Sequence, residues 1–262
     1  MLEIGGEALV LTHDMLVEGV HFLAGQDPVD IAWKLVATNV SDLAAKGARP
    51  VGALLGYQLG PDDQRFLEGL KAALGHYGMP LLGGDTVGGT GPQAMGLTAI
   101  GQATVRPVPS RSGARAGDGI WITGALGAAM AGLEALRTGS GDSSAYRRPM
   151  ARLDEGLALA PHVSAMMDIS DGLLLDASRM AAASGVTFAI DSALPPLAVA
   201  ESRRGEALRW GDDYELLFTL PAGPPLPVPA TQIGEVLPLG ASALLLDGQP
   251  LAPDDIAGFE HN

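Results

Sequence analysis

The stretch Asp168-Ile-Ser-Asp-Gly-Leu-Leu-Leu-Asp176 constrains this chain more than any other. Met166 and Met167 run into it as an apolar pair, and an Ala-rich helical pattern runs out of it to Ser184-Gly185. Ser170 is a good N-cap, and Asp171 then falls in the first helical turn. The spacing predicts a strand end, two carboxylates and a helix N-terminus in succession. Such a place offers N–H donors to a phosphate and hard oxygen ligands to a divalent cation. The stretch alone is also read as a capped helix whose acids favour the helix dipole. Three more lone acids in similar settings, Asp14, Asp42 and Asp85, weigh against that simpler reading.

In chain order, Ala8 to Thr12 reads as a short apolar strand ending at His13-Asp14, with an extended stretch through His21 and Phe22. An apolar strand at a sheet edge invites pairing, so a two-fold dimer that buries it is expected. Asp27-Pro28 opens a helix in which Ile31, Leu35, Val36, Val40 and Leu43 keep helical spacing up to Gly47. Asn39 and Asp42 share one face of it. Asp42 is equally compatible with an exposed acid partnered by Lys46 one turn on. Gly52 to Leu59 is strand-like, and Pro61-Asp62-Asp63 opens a helix with Phe66, Leu67, Leu70, Leu74 and Tyr77 on one side. Met79 to Leu82 leads to Gly83-Gly84-Asp85-Thr86, and a strand ending in Gly-Gly-Asp lets backbone approach a phosphate closely while one carboxylate faces it. A plain glycine-rich hairpin turn fits the same residues. Ala94 to Ala103 is the returning strand, and Pro107 and Pro109 mark a boundary, giving domains 1–110 and 111–262. Beyond it, 118–124 is a strand, 125–138 and 151–161 are helices, 186–190 and 216–220 are strands, and 231–236 and 243–247 are expected edge strands.

Several common machines are missing. The sequence has no phosphate-binding Gly-x-x-x-x-Gly-Lys loop, no Gly-x-Gly-x-x-Gly fingerprint, no Gly-x-Ser-x-Gly elbow and no His-Glu-x-x-His. Its five histidines do not pair at zinc spacing. With no cysteine there is no disulfide, thiolate nucleophile or cysteine-based metal centre. A formal net charge of -14 argues against nucleic-acid or anionic-lipid partners. No apolar run reaches membrane-spanning length and Met1-Leu2-Glu3 does not start a signal peptide, so the cytoplasm is the default compartment. What remains is isolated carboxylates at strand and helix ends: Asp14, Asp42, Asp85, Asp168 and Asp171. Without thiol or imidazole company these suit Mg2+ holding substrate phosphates, and phosphoryl transfer needs mainly positioning and charge neutralisation.

Five ordered stretches resemble the thiamine-monophosphate kinase family, within the aminoimidazole-ribonucleotide-synthetase-like superfamily. They are Asp14-Met-Leu-Val-Glu-Gly-Val-His-Phe22, Asn39-Val-Ser-Asp-Leu-Ala-Ala-Lys-Gly-Ala48, Gly83-Gly-Asp-Thr86, Arg111-Ser-Gly-Ala114 and Asp168-Ile-Ser-Asp-Gly-Leu173. The match runs nearly collinearly from Leu9 to His261.

The resemblance implies an α+β fold of two domains, mixed sheets with flanking helices, paired into a homodimer. It implies direct phosphorylation of thiamine monophosphate to thiamine diphosphate, with ATP as co-substrate and several Mg2+ ions. By the same resemblance Asp14, Asp42, Asp85, Asp168 and Asp171 hold metal, with Thr12 assisting. Gly84, Asp85, Arg111 and Ser170 contact nucleotide, and His21, Asp212 and Phe259 line the thiamine phosphate site. Three departures stand out. The family's upstream Gly-Asp-Asp-Ala motif would precede Met1, so this chain is expected to bind Mg-nucleotide and turn over slowly. The family's Gly-Gly-Glu-Asp-Tyr-Glu reads Trp210-Gly-Asp-Asp-Tyr-Glu215, and His13 stands where the family has Thr. The competing expectations are a degenerate nucleotide-binding homologue and a related ATP-dependent synthetase. Those relatives that depend on cysteine or selenocysteine are disfavoured by the absence of both.

Overall fold

The structure is a computed structural model that describes residues 1–223 and 225–251. The first sheet and its helices comprise β1 (Leu2–Ile4), β2 (Glu7–Val17), α1 (Pro28–Ala44), β3 (Ala48–Gln58), α2 (Asp63–His76), β4 (Leu81–Val87) and β5 (Ala94–Ala103). The sheet order is β1-β2-β5-β3-β4, with β3 and β4 parallel and the other pairs antiparallel. Strand alternation decides its two faces. In β2, Val10 and Leu16 are buried under the helices, whereas Leu11 and Met15 face out. α1 begins where Asp27 Oδ1 accepts the Val29 N–H at 3.0 Å, and Asp62 caps α2 the same way through the Arg65 N–H at 3.1 Å. Leu35, Val36, Val40 and Leu43 of α1 meet Phe66 and Leu70 of α2 and Met95 and Leu97 of β5 in one core.

The second sheet is larger. Its elements are β6 (Gly119–Ile122), α3 (Ala128–Thr138), α4 (Ser144–Arg147), α5 (Leu153–Leu159), β7 (Ala165–Asp168), α6 (Leu173–Ser184), β8 (Val186–Ile190), α7 (Arg204–Ala207), β9 (Leu216–Leu220), β10 (Thr231–Pro238), β11 (Leu244–Leu246) and β12 (Gln249–Pro250). The strand order is β12-β11-β8-β10-β6-β9-β7.

Four expectations are corrected. β10 is an interior strand, held on both sides by β6 and β8, because its buried Ile233 and Val236 sit in the second core. β11 too is paired on both sides, by β8 and β12, and is not an edge, whereas Gly83, Gly84 and Asp85 extend β4 against β3 as a strand and not as the alternative hairpin turn. Leu67 is exposed on α2 beside the buried Phe66. α6 starts at Leu173, after Gly172, so Ser170 is not its cap and Asp171 precedes its first turn.

The two sheets meet through α1. Ala44 and Ala45 at its C-terminal end form one apolar cluster with Leu159 and Ala160, with Met166 of β7, and with Leu216 and Phe218 of β9. The loop before α5 returns to the first sheet's helices, where Trp33 Nε1 donates to the Pro149 carbonyl at 2.9 Å and the Ala151 N–H donates to Tyr77 Oη at 3.0 Å. This packing sets the polar face of α1's last turns against the C-terminal end of β7.

Candidate active site

At that junction Ser41 Oγ donates to Asp168 Oδ2 at 2.6 Å. One turn of α1 away from the apolar cluster, Asn39 receives the Asp14 N–H on its Oδ1 at 3.1 Å and donates its own amide to the Leu35 carbonyl at 2.9 Å. Asn39 therefore clamps β2 to the helix at the residue where an acid enters the cleft. Thr12, two residues back on the same face of β2, donates its hydroxyl to Asp42 Oδ2. Among the described residues no ion pair joins Lys46 to Asp42, so the exposed helical pair is not what α1 forms.

The loop after β7 is held by a different device. Asp176, fully buried in the first turn of α6, accepts the N–H groups of Ser170 at 3.1 Å and Asp171 at 3.0 Å on one oxygen. It is an in-helix carboxylate that satisfies the backbone ahead of the helix. Arg179, one turn on, pairs with Asp171 and reaches Asp176 Oδ1 at 3.2 Å. Against this loop lies the Arg209–Gly211 turn, backbone to backbone. A Cβ on Gly211 would lie 2.2 Å from the Ser170 carbonyl oxygen, and one on Gly172 would lie 2.5 Å from that of Arg209. Only glycine permits such an approach. It delivers Asp212, whose N–H donates to the Ser170 carbonyl at 2.8 Å, to the same cleft.

The cleft so formed has a volume of about 850 Å³. Its walls carry Asp14, Asp42, Asp168 and Asp171 with Ser170, and also His21, Arg137, Tyr146, Trp210 and Asp212. Electrostatics among the four acids are unfavourable without a counter-ion. Burial, then the Asp42 and Asp171 carboxylates, push the Asp14 carboxyl up to about 7. Burial and Asp42 raise Asp168 as well, against the stabilising Ser41 hydroxyl. Burial raises Asp176 to about 6 even though it accepts two N–H groups. Such mutually repelling carboxylates, with no imidazole or thiol among them, form a donor set for a hard divalent cation. No three such side chains among the described residues converge into a finished metal cage. A cation here takes one or two carboxylates and completes its sphere with water or phosphate oxygens, which is how Mg2+ is usually held.

The positions singled out in the sequence thus divide. Asp14, Asp42, Asp168, Asp171, Ser170, His21 and Asp212 all line the cleft, and Thr12 supports it through Asp42. Gly84, Asp85 and Arg111 are not among its walls. Asp85 is level with Gly56, Gly96 and Met15 across the sheet, the row on the outer face, away from α1. Phe259 lies outside the described residues. The sequence reading missed Ser41, Asp176, Lys34, Tyr146 and Trp210. Ser41 and Asp176 sat inside stretches already singled out and were legible as neighbours of acids. Lys34 had a signal too, a lone charge among the apolar positions of α1.

The family model described as AIR synthase related protein, N-terminal domain, matches residues 1–103, and the corresponding C-terminal domain model matches 115–240. The thiamine-monophosphate kinase of Escherichia coli K12 is 36% identical over 285 residues, covering 97% of this chain and 87% of that protein. That of Aquifex aeolicus is 33% identical, covering 99% and 90%. A solved structure of AaThiL complexed with AMPPCP and TMP superposes with a TM-score of 0.89 at 33% identity, over 100% of this chain and 89% of that one. The thiamine-monophosphate kinase of Stenotrophomonas maltophilia K279a gives 0.85 at 34%, over 94% and 87%. With the ordered motifs, the two-sheet fold and the carboxylate-lined cleft all in place, the chain belongs to the thiamine-monophosphate kinase family of AIR-synthase-related proteins.

Proposed function

We propose that this chain transfers the γ-phosphoryl group of ATP to thiamine monophosphate, giving thiamine diphosphate and ADP, in the cleft between its two sheets. The observation that carries the reading is a single cleft lined both by four carboxylates and by aromatic, imidazole and mixed-charge groups. Such a lining offers different chemistry to two unlike substrates. A terminal phosphate oxygen of the acceptor forms the new O–P bond as the bond from the γ-phosphorus to its bridging oxygen breaks, and that oxygen leaves on ADP. The acceptor phosphate is already anionic near neutral pH, so no side chain is required as a base. Mg2+, when bound, supplies the charge neutralisation that brings the phosphates together.

The residues of the chain do the positioning. Asp14, Asp42, Asp168 and Asp171 hold the cation, while Asn39, Thr12, Ser41 and Asp176 fix their geometry. Ser170 meets the nucleotide in the same loop, and His21 and Asp212 meet the thiamine phosphate. Gly84, Asp85 and Arg111 are assigned to the nucleotide with one condition. Asp85 stands on the outer sheet face, so it reaches a nucleotide only where a second copy brings that face to a cleft.

A homodimer is proposed on the same ground. β4 is exposed along its whole length, Leu11, Met15 and Leu54 face out of the sheet, and β1 covers only Glu7 to Leu9 of β2. We take 1–110 and 111–262 as the two domains and the cytoplasm as the compartment. No described helix is long and apolar enough to cross a membrane. The test is turnover with ATP, Mg2+ and thiamine monophosphate. The proposal expects ADP and thiamine diphosphate in equal amounts, and Asp42→Asn lowering the rate far more than the melting temperature. ADP formed without thiamine diphosphate would overturn it.

A further inference from the structure

Lys34 lies within α1 with a side chain only 1% exposed. Its ammonium donates to Asp212 Oδ2 at 2.8 Å and to the His21 carbonyl at 3.1 Å. It also stands 4.0 Å from the centroid of the Tyr146 ring. Tyr146 Oη donates to the same His21 carbonyl at 3.0 Å, and Tyr214 Oη donates to Asp212 Oδ1 at 2.9 Å. An ammonium buried this far is unfavourable unless paired, and Asp212 is its one ionic partner within 4.0 Å among the described residues. The charge therefore binds three separate segments together: the turn carrying His21, helix α4, and the Trp210–Tyr214 turn.

All three segments contribute walls of the same cleft as the acids: His21, Tyr146, Trp210, Asp212 and Tyr214 line it. The Asp212 turn is also strained, since Asp212 and Tyr214 adopt φ of 66° and 51°, a left-handed region that residues with a Cβ enter at a cost. Asp212 is held there by its N–H on Ser170 and, at its side chain, by Lys34 and Tyr214. Its side chain still exposes 31% of its surface, so lone pairs remain for a ligand. A carboxylate presented in this way keeps lone pairs that can accept from an amino-bearing heterocycle or sit against a cationic one, which is the non-phosphate part of a thiamine phosphate.

We propose that Lys34 is a positioning residue for the acceptor: it fixes Asp212 and the His21 turn as the wall that receives the cationic heterocycle, and acts on acceptor binding with little effect on the nucleotide. This inference rests on the proposed kinase reading. The test measures KM for both substrates, kcat and thermal stability in Lys34→Met, Asp212→Asn and the double variant. Lys34→Met is expected to raise the acceptor KM by about tenfold or more while leaving KM for ATP within about twofold. The double variant should be no worse than the more impaired single variant, because the two residues act as one unit. Tyr146→Phe, which keeps the ring and removes only the hydroxyl, should raise the acceptor KM by a smaller factor; it serves if Lys34→Met does not fold. An unchanged acceptor KM in folded Lys34→Met, equal rises in both KM values, or additive losses in the double variant would each overturn the proposal. If Lys34→Met does not fold, an unchanged acceptor KM in Tyr146→Phe overturns it. A parent chain that makes no thiamine diphosphate would instead defeat the kinase reading first.

Discussion

Asp14→Asn should make the metal-free chain more stable near neutral and alkaline pH while abolishing its response to Mg2+. Among the described residues no donor engages the Asp14 carboxylate, and burial together with Asp42 and Asp171 pushes it from 3.8 up to about 7. A raised carboxyl means that the folded chain holds this proton more tightly than the unfolded chain does. Stability is thus lost as pH climbs from near 4 to near 7, and the full penalty persists above that. A displacement of this size corresponds to on the order of 4 kcal/mol between the two protonation states. Asp14 is half-buried, and solvent screening brings the measurable part to about 1–3 kcal/mol. For a chain of this length that is a rise of about 2–4 °C in Tm per kcal/mol when the charge is removed. The assay is thermal unfolding of both forms at about pH 5 and pH 8, with a chelator and with millimolar Mg2+. The variant should melt several degrees higher than the parent at the alkaline pH with chelator, with a much smaller gap at the acidic pH. Mg2+ should raise the parent and leave the variant unmoved. A variant that is destabilised equally at both pH values would refute the argument, because Asp14 would then be a structural partner and not an uncompensated charge.

Ser41→Ala removes the 2.6 Å bond to buried Asp168 and should cost about 1–3 kcal/mol of transition-state stabilisation, read as a fall in kcat across a Mg2+ titration. Mixing inactive Asp42→Asn and Asp85→Asn chains should restore about a quarter of parental activity if each cleft draws Asp85 from its partner, since half the dimers are mixed and each has one intact site; no recovery after subunit exchange would place both acids in one chain's site. Gly156→Ala would set a Cβ 2.1 Å from the Ala44 carbonyl oxygen, so unfolding should show a loss of about 1–3 kcal/mol from forced separation of α5 and α1.

Much of this architecture was written locally. Asp27-Pro28 and Asp62-Asp63 opened helices because capping is decided within three residues. The acids Asp14, Asp42, Asp168 and Asp171 could be picked out singly at strand and helix ends, and their ordered motifs named the family. What the sequence hid was decided by pairing at a distance. The Gly83-Gly84-Asp85 stretch fits either a strand end or a glycine-rich turn by composition, and β3 alongside decides for strand. β10 reads as an edge and became interior because two separate strands claim its sides. Ser170 has the composition of a cap, yet no side chain caps α6, and Asp176 instead holds the loop ahead of the helix through the Ser170 and Asp171 N–H groups. The Lys34–Asp212 pair spans 178 residues, and no local pattern couples its members. Asp85 and the acids of the cleft share a motif set without sharing a face of the sheet. That distinction exists only once the strands are in register.

The position of the divalent cation and of the phosphates decides whether the four carboxylates do the chemistry assigned to them. Mn2+ can replace Mg2+ and is located by its anomalous scattering in crystals grown with a non-hydrolysable ATP analogue and thiamine monophosphate. The account predicts Mn2+ at about 2.0–2.3 Å from oxygens of at least two of Asp14, Asp42, Asp168 and Asp171, with analogue phosphate oxygens completing its sphere. Mn2+ and phosphates bound outside this cleft, with those four carboxylates left to protons and Arg179, would contradict it.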